Sequence, residues 1–452
     1  MAAVKRNPVA AFKLWLRKLR IFRRKTSSRA KTNNGGVHLA EEGQLMPMLP
    51  DDIVFDILSR LPINALYQCR LVCKSWHSAI DSPLLSKLHV SRTVTREDAR
   101  TALSLLLIER SPNPYRCCRL FLLESGNNGS DSTVRDSDGN LLMVNNLNVA
   151  PVKSQFNRRI SELDIAGSCN GLLCLLDPIE NIPVYVVNPV TGAHAVLPVP
   201  ANLCRGRVRV SPVIMPGFGF DPETSEFKVV FISHWPSFLE NQSLQLTAQV
   251  LTINGSDSSE AGSWRRAGNV GYPLRGHNNP IFVSGALHWL TANYRDSKII
   301  DLIVSFQIGR ETFKAVPAPK VYRPGSRDTV TGTAVSWSSE WVDLTEIGGC
   351  LSIVDKKFCD RLVIWVMEEY GDGDSWAKHV VLKSPLMKLD WLYVKPFGFV
   401  GKGEVLVLGD LKGLVLYDFV KKSFKKLKIQ GTSTPLVSHL HFGSLVSPKV
   451  KF

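Results

Sequence analysis

Long hydrophobic runs are missing from this 452-residue chain. No stretch approaches the 18 or more apolar residues that cross a bilayer as a helix. No short apolar segment leads to a small-residue cleavage site either, so no secretory signal is expected. None of the nine cysteines forms a C-x-x-C pair, which removes the commonest zinc and redox spacings. Cys117-Cys118 and the Cys169/Cys174 pair also lack zinc-site spacing. Free, mostly buried thiols in a reducing compartment are expected. There is no Gly-Lys-Ser/Thr phosphate loop, and Gly217-Phe218-Gly219 is too short and wrongly flanked to replace one. His-Glu-x-x-His and Gly-x-Ser-x-Gly are absent as well. His234-Trp235 and His288-Trp289 read as half-buried strand residues rather than catalytic bases. The expectation is a chain that is not an enzyme, with no cofactor, no catalytic residues and no metal.

Acid is missing from one place in particular. Residues 1–40 hold eleven Lys/Arg and no Asp/Glu, while the remainder carries 44 basic against 40 acidic residues. The net charge of +15 is thus mostly a property of the tail, and no nucleic-acid-binding surface is expected of the body. Within the tail, Phe12, Trp15, Leu16, Leu19 and Phe22 share one helical face; Lys13, Arg17, Arg20 and Arg24 share another. Such a helix suits an anionic membrane surface or, with Arg23-Arg24-Lys25, an import receptor; residues 5–31 carry both readings. An Arg-rich, acid-free tail also has the composition of an organellar transit peptide. Residues 26–44 read as a linker. Residues 1–44 are therefore taken as a basic extension.

The densest pattern is Leu49 to Val90. Leu49-Pro50 and Leu61-Pro62 each open a helical pattern, and proline suits a first helical turn because its missing N–H has no partner there anyway. Asp51 and Asp52 favour the positive end of that helix dipole. Ile53, Ile57, Leu58 and Leu61 recur at helical spacing, then Leu66, Cys69, Leu71, Cys73 and Trp76. About 40 residues can hardly bury this many large apolar groups alone, so part of the core is expected to be completed by a partner. Cys69, Cys73 and His77 would fall on one face of a continuous second helix, but no fourth metal ligand is nearby. The segment, with Ile57-Leu58-Ser59-Arg60-Leu61-Pro62 and Val72-Cys73-Lys74-Ser75-Trp76, resembles an F-box, here placed at residues 45–90. The resemblance implies docking onto a Skp-type adaptor, and through it onto the cullin and RING subunits of an SCF-type ubiquitin ligase. It implies adaptor-binding roles for Leu49, Pro50, Ile53, Ile57, Leu58, Leu61, Pro62, Leu66, Leu71, Val72, Cys73 and Trp76.

Residues 91–114 read as a helical linker, with Ala102, Leu103, Leu106 and Leu107 on one side. From Tyr115 short apolar runs alternate with Gly, Pro, Asn and Asp turns, the pattern of many short strands. Runs beginning near Leu120, Gly171, Phe227, Ala286, Cys350 and Glu404 recur at intervals of 51, 56, 59, 64 and 54 residues. Aromatic pairs Phe306/Phe313 and Tyr417/Phe424 bracket hairpins, and Trp264 and Trp376 take the same third-strand place in other units. A period of 50–60 with several strands per unit predicts a β-propeller of about six blades; an irregular β-sandwich is the alternative. The fold class is a small all-α module followed by an all-β repeat domain over residues 115–448.

A second resemblance lies in this region. Gly167-Ser168-Cys169-Asn170-Gly171-Leu172-Leu173-Cys174, Val187-Asn188-Pro189-Val190-Thr191-Gly192, Gly217-Phe218-Gly219-Phe220-Asp221 and Ser284-Gly285-Ala286-Leu287-His288-Trp289 are similar to the F-box-associated domain of plant F-box proteins. Physically these are strand–turn signals: Asn-Pro-x-Thr-Gly suits a type I turn followed by a left-handed residue. The joint expectation is a substrate receptor of the nucleus or cytoplasm that presents an unidentified target protein for ubiquitination and degradation. The alternative is a non-degradative binding protein for a glycan, peptide or nucleic acid, tethered by the basic helix. The loops Val321 to Glu340 and Ser233 to Leu244 are the longest candidates for target contact.

Overall fold

The computed structural model of the chain describes most of residues 51–89. Beyond them it describes residues 104–109, 119–124, 145–147, 163–177, 182–200, 213–234, 246–253, 263–275, 280–291, 303–322, 341–384, most of 391–400, 405–410, 413–426 and 436–448. The basic tail, Leu49, Pro50, Pro62, Leu71, Cys117-Cys118, His234-Trp235 beyond the strand backbone, and the loop tips 235–245 and 323–340 lie outside the described residues. Two compact units are present, Met1–Leu85 and Ser86–Phe452. The first carries helices Asp51–Ser59 and Lys74–Ile80. Among the described residues, the regular structure of the second is strand from Ser104 on, apart from a short 3-10 turn at Lys320–Tyr322.

The second unit is a β-propeller whose sheets have four antiparallel strands each. Strands β1 (Ser104–Glu109), β2 (Arg119–Glu124) and β3 (Asn145–Leu147) come first. Then β4 to β7 span Asp164–Cys169, Leu172–Asp177, Ile182–Val187 and His194–Val196. Strands β8 to β11 span Val213–Asp221, Glu226–His234, Leu246–Ile253 and Arg265–Val270. Strands β12 to β15 span Ile281–Val283, Ala286–Leu290, Ile303–Gln307 and Thr312–Val316. Strands β16 to β19 span Val342–Ile347, Cys350–Asp355, Arg361–Met367 and Trp376–Leu382. Strands β20 to β23 span Lys395–Val400, Val405–Asp410, Gly413–Asp418 and Ser423–Lys426, and β24 is Leu436–Leu440.

Five blades are thus runs of four consecutive strands, not the six expected from the repeat. The repeat at Leu120 belongs instead to a composite sheet, ordered β24-β1-β2-β3, in which the last strand supplies what the first three lack. Leu105 to Glu109 pair antiparallel with Leu440 to Leu436. The expected helical linker is corrected here: its Ser104–Glu109 segment is strand, because edge groups on both sides find ladder partners.

The core lies between blades rather than within them. Along β9, Val230 and Ile232 pack with Leu287, Trp289 and Phe306 of the next blade, while Phe227 and Val229 pack with Leu172 and Cys174 of the previous one. Alternate residues point to opposite faces of a strand, so a strand covered on both faces is apolar throughout. Leu172–Asp177 is buried at every position for this reason. Two further clusters join the β12–β15 blade to β16–β19, and β16–β19 to β20–β23.

Turn chemistry follows the local sequence. Asn170-Gly171, Ser284-Gly285 and Gly348-Gly349 all have positive φ and close two-residue hairpins, as a type I′ turn requires. In Asn188-Pro189-Val190-Thr191-Gly192 the Asn188 Oδ1 accepts from the N–H groups of Val190 at 2.8 Å and Thr191 at 3.2 Å. Gly192 then takes φ 75, as the turn reading predicts. Phe306 pairs with Phe313 and Tyr417 with Phe424, with ring centroids 4.9 and 4.8 Å apart. Trp264 and Trp376 do hold equivalent places, but at the start of the outermost of four strands, not the third of three. Each indole N–H reaches back one blade, to the carbonyl of Pro198 at 2.7 Å and of Pro317 at 3.0 Å. Replacing either tryptophan by phenylalanine removes this bond and little apolar area. A loss of about 1 kcal/mol in urea unfolding is expected for each, additive in the double variant because the sites are separate.

Candidate docking surfaces

In the first unit the helix Asp51–Ser59 buries Leu58 fully and leaves Ile57 half-buried. It closes with the N–H of Leu61 donating to the Leu58 carbonyl at 3.1 Å, just ahead of Pro62. Asp56 and Arg60 pair at 3.0 Å, but both are exposed, where ion pairs add little. Leu66 and Cys69 are interior. Burial pushes the Cys69 thiol up to about 11, so it stays protonated and behaves as a small hydrophobe.

The helical run expected from Leu66 through Trp76 is interrupted at Cys73. Its backbone is extended, at φ −159 and ψ 166, and it caps the helix Lys74–Ile80, its Sγ accepting the Trp76 N–H at 3.5 Å. An extended cap puts residues before and after it on different axes. Cys69 is therefore buried while Cys73 and His77 are exposed, and the three do not share a helix face. Among the described residues no group of three or more His, Cys, Asp or Glu could hold a metal ion. In the second unit His288 is fully buried rather than half-buried. Burial lowers it to about 4 against the opposing hydrogen bonds of Ile281 and Ala286.

Burial divides the twelve sequence-chosen docking residues. Leu58, Leu66 and Trp76 are interior, while Ile57 and Leu61 are half-buried. Ile53 and Val72 are exposed at 43% and 39%, and Cys73 is exposed too. Leu49, Pro50, Pro62 and Leu71 lie outside the described residues. Sequence reasoning missed Leu84, exposed at 56% beside fully buried Leu85. The spacing Trp76, Ile80, Leu84 would have put Leu84 inside. The helix ends at Ile80, however, and the Ser82 hydroxyl caps the next turn at the Leu85 N–H, 3.2 Å away; Asp81-Ser82-Pro83 was the signal for that break. Three large apolar side chains are thus left in water beside the buried Leu58, Leu66, Trp76, Ile80 and Leu85.

Comparison with known proteins agrees with this division of the chain. The family described as the F-box associated beta propeller domain matches residues 120–445. The F-box-like family matches residues 46–90. The chain is 28% identical to F-box protein At3g07870 of Arabidopsis thaliana, over 88% of this chain and 91% of that one. It is 24% identical to F-box protein CPR1 of the same plant, over 89% of each chain. It is also 24% identical to the plant's F-box/kelch-repeat protein At3g23880, over 88% of this chain and 96% of that one.

Proposed function

Since the chain belongs to the plant F-box proteins that carry an F-box associated β-propeller domain, we propose that it is the substrate-recognition subunit of an SCF-type ubiquitin ligase. The F-box holds a Skp-type adaptor, and the propeller holds a target protein of the nucleus or cytoplasm. The chain itself has no bond to make or break in this role. It raises the effective concentration of target lysines beside a charged conjugating enzyme. The cullin and RING subunits are reached through the adaptor.

The observation that carries the adaptor half is the exposure of Ile53, Val72 and Leu84 beside the buried Leu58, Leu66 and Trp76. Burying such side chains against a partner stabilises a complex by roughly 25 cal/mol per Å² of apolar surface. Buried Leu58 and Trp76 act one step earlier, by holding the helices in place.

Ile53→Glu and Val72→Glu should each weaken binding of purified full-length protein to a Skp-type adaptor by roughly tenfold or more, with unchanged thermal unfolding. Trp76→Ala should lower binding and helix stability together. Isothermal titration with parallel circular dichroism separates the two. Failure of the wild-type chain to bind any Skp-type adaptor would remove the basis for the proposal.

A further inference from the structure

We propose that the propeller end formed by the β17–β18 turn and the approaches to β16 and β20 is the target-docking surface, and that it takes an acidic segment bearing an aromatic side chain. The word target rests on the receptor reading above; the surface and its ligand chemistry do not.

In a four-stranded antiparallel blade the second connection and the exit from the fourth strand leave at one end. The turn at residues 356–360, the exit at Lys383 and the approaches at Trp341 and at Trp391, Tyr393 and Val394 therefore gather at that end. So do the strand ends that flank the two long loops singled out from the sequence, at Val316 and Val342 and at His234 and Leu246.

Two aromatic side chains stand in water here, Trp341 at 43% and Tyr393 at 49% exposure. Large exposed aromatics are the side chains that contribute most when an interface covers them. The same end carries a set of oriented cations. Phe358 has the Lys357 ammonium 4.8 Å and the Arg361 guanidinium 4.9 Å from its ring centre. Lys383 lies 5.6 Å over the Trp391 ring and donates to the Phe358 carbonyl at 2.5 Å. A cation held on an aromatic face has already lost much of its rotamer freedom, which lowers the cost of binding an anion.

The ion pairs leave one cation over: among the described residues Lys356, Lys357, Arg361 and Lys383 stand against Asp343, Asp355 and Asp360. Lys356 is buried and paired with Asp343 at 2.6 Å. Asp355 is buried and accepts the Tyr322 hydroxyl at 2.6 Å, with Lys357 only 3.6 Å away. Among the described residues, what faces solvent is Lys357, Arg361 and half-buried Lys383 against one carboxylate, Asp360, which lies 3.6 Å from Arg361. Burial, with Lys356 nearby, pushes the Lys383 ammonium below its ordinary value despite Cys359, Asp360 and Asp355; an added carboxylate relieves that. Three clustered cations among aromatics fit a short acidic peptide better than a nucleic-acid backbone, which needs a continuous basic track.

The test uses full-length protein copurified with a Skp-type adaptor. The probes are a fluorescent peptide alternating Asp and Glu around one Phe, the same peptide with Lys in place of Glu, and an oligothymidylate. The acidic peptide should bind, more weakly as salt rises, and the Lys-containing peptide should not. The double variant Lys357→Glu/Arg361→Glu should lose at least about tenfold, while Lys314→Glu, on β15, should lose nothing. Trp341→Ala and Tyr393→Ala touch none of the ion pairs and should also weaken binding, which covers the case of a charge reversal that melts early. Undiminished peptide binding in both sets of variants, or tighter binding of oligothymidylate through the same residues, would overturn the proposal. Adaptor affinity is measured on the same samples. If it is absent while peptide binding holds, the receptor reading falls and this surface stands.

Discussion

Gly171→Val is expected to be among the most damaging single changes in the propeller. Gly171 follows Asn170 in the β4–β5 turn and takes φ 81, a region that costs a β-branched residue about 1–3 kcal/mol. A Cβ there would also overlap the Ser444 side chain and come 2.7 Å from the Ser444 backbone nitrogen. Ser444 belongs to the segment after β24, and that segment fastens the composite sheet to the first contiguous blade. The Ser444 hydroxyl donates to the Asn170 carbonyl at 2.9 Å. The side-chain amide of fully buried Asn188 donates to the carbonyls of Ser444 and Val446, both at 2.8 Å. Ser168 and His441 meet at 3.0 Å, and burial lowers the His441 imidazole to about 3. Strain and overlap together should cost about 3 kcal/mol or more, read as a lowered urea midpoint. The C-terminal segment should become the first site of limited proteolysis. Ser444→Gly in the same chain removes the side-chain overlap but not the positive φ, so it should restore part of the loss and no more. A valine variant within about 0.5 kcal/mol of wild type would show that residues 441–448 do not fasten the ring.

The strands most legible in the sequence were those buried on both faces. The runs at Gly171, Phe227, Ala286, Cys350 and Glu404 fall on β5, β9, β13, β17 and β21, each the second strand of a contiguous blade. The first strands were left out of the repeat count because they do not read as apolar runs. β8 is Val213–Asp221, whose Gly217-Phe218-Gly219 stretch reads as a strand–turn signal but not as an apolar run. A Cβ on Gly217 would lie 2.7 Å from Leu287, and one on Gly219 2.8 Å from Phe282. Neighbouring blades approach so closely there that glycine is the residue that fits. With the first strand of each unit left out, three strands were counted where four exist, and Trp264 and Trp376 were placed one strand too far in. The F-box was legible in type but not in detail. Helical spacing located Leu58, Leu66 and Trp76, yet spacing alone does not tell a residue facing the core from one facing a partner. That distinction depends on the breaks at Cys73 and at Asp81-Ser82-Pro83, which rotate Val72 and Leu84 outward.

Glu311→Ala should be of similar severity and should carry a pH signature. Glu311 closes the β14–β15 turn at φ 54, where glycine or asparagine would be less strained. Its carboxylate accepts from Lys228, 2.9 Å away, and takes both arms of the Arg265 guanidinium. Lys228 and Arg265 belong to the preceding blade, and the Lys228 ammonium is almost wholly buried, its other partner being the Ile308 carbonyl at 3.1 Å. Alanine would leave that cation without a counter-charge, a loss of about 3 kcal/mol. Burial pushes the Glu311 carboxyl up, but the hydrogen bonds and charges of Arg265 and Lys228 outweigh it and hold the group below its ordinary value. A carboxyl depressed in the folded state contributes stability above its unfolded value of about 4.3 and loses it as pH falls through the folded value. Glu311→Gln keeps the shape and removes the charge. Its deficit against wild type in urea unfolding should be largest near neutral pH and should shrink below about pH 4. A deficit that stays constant across that range would mean the carboxylate is not what holds the two blades together at this turn.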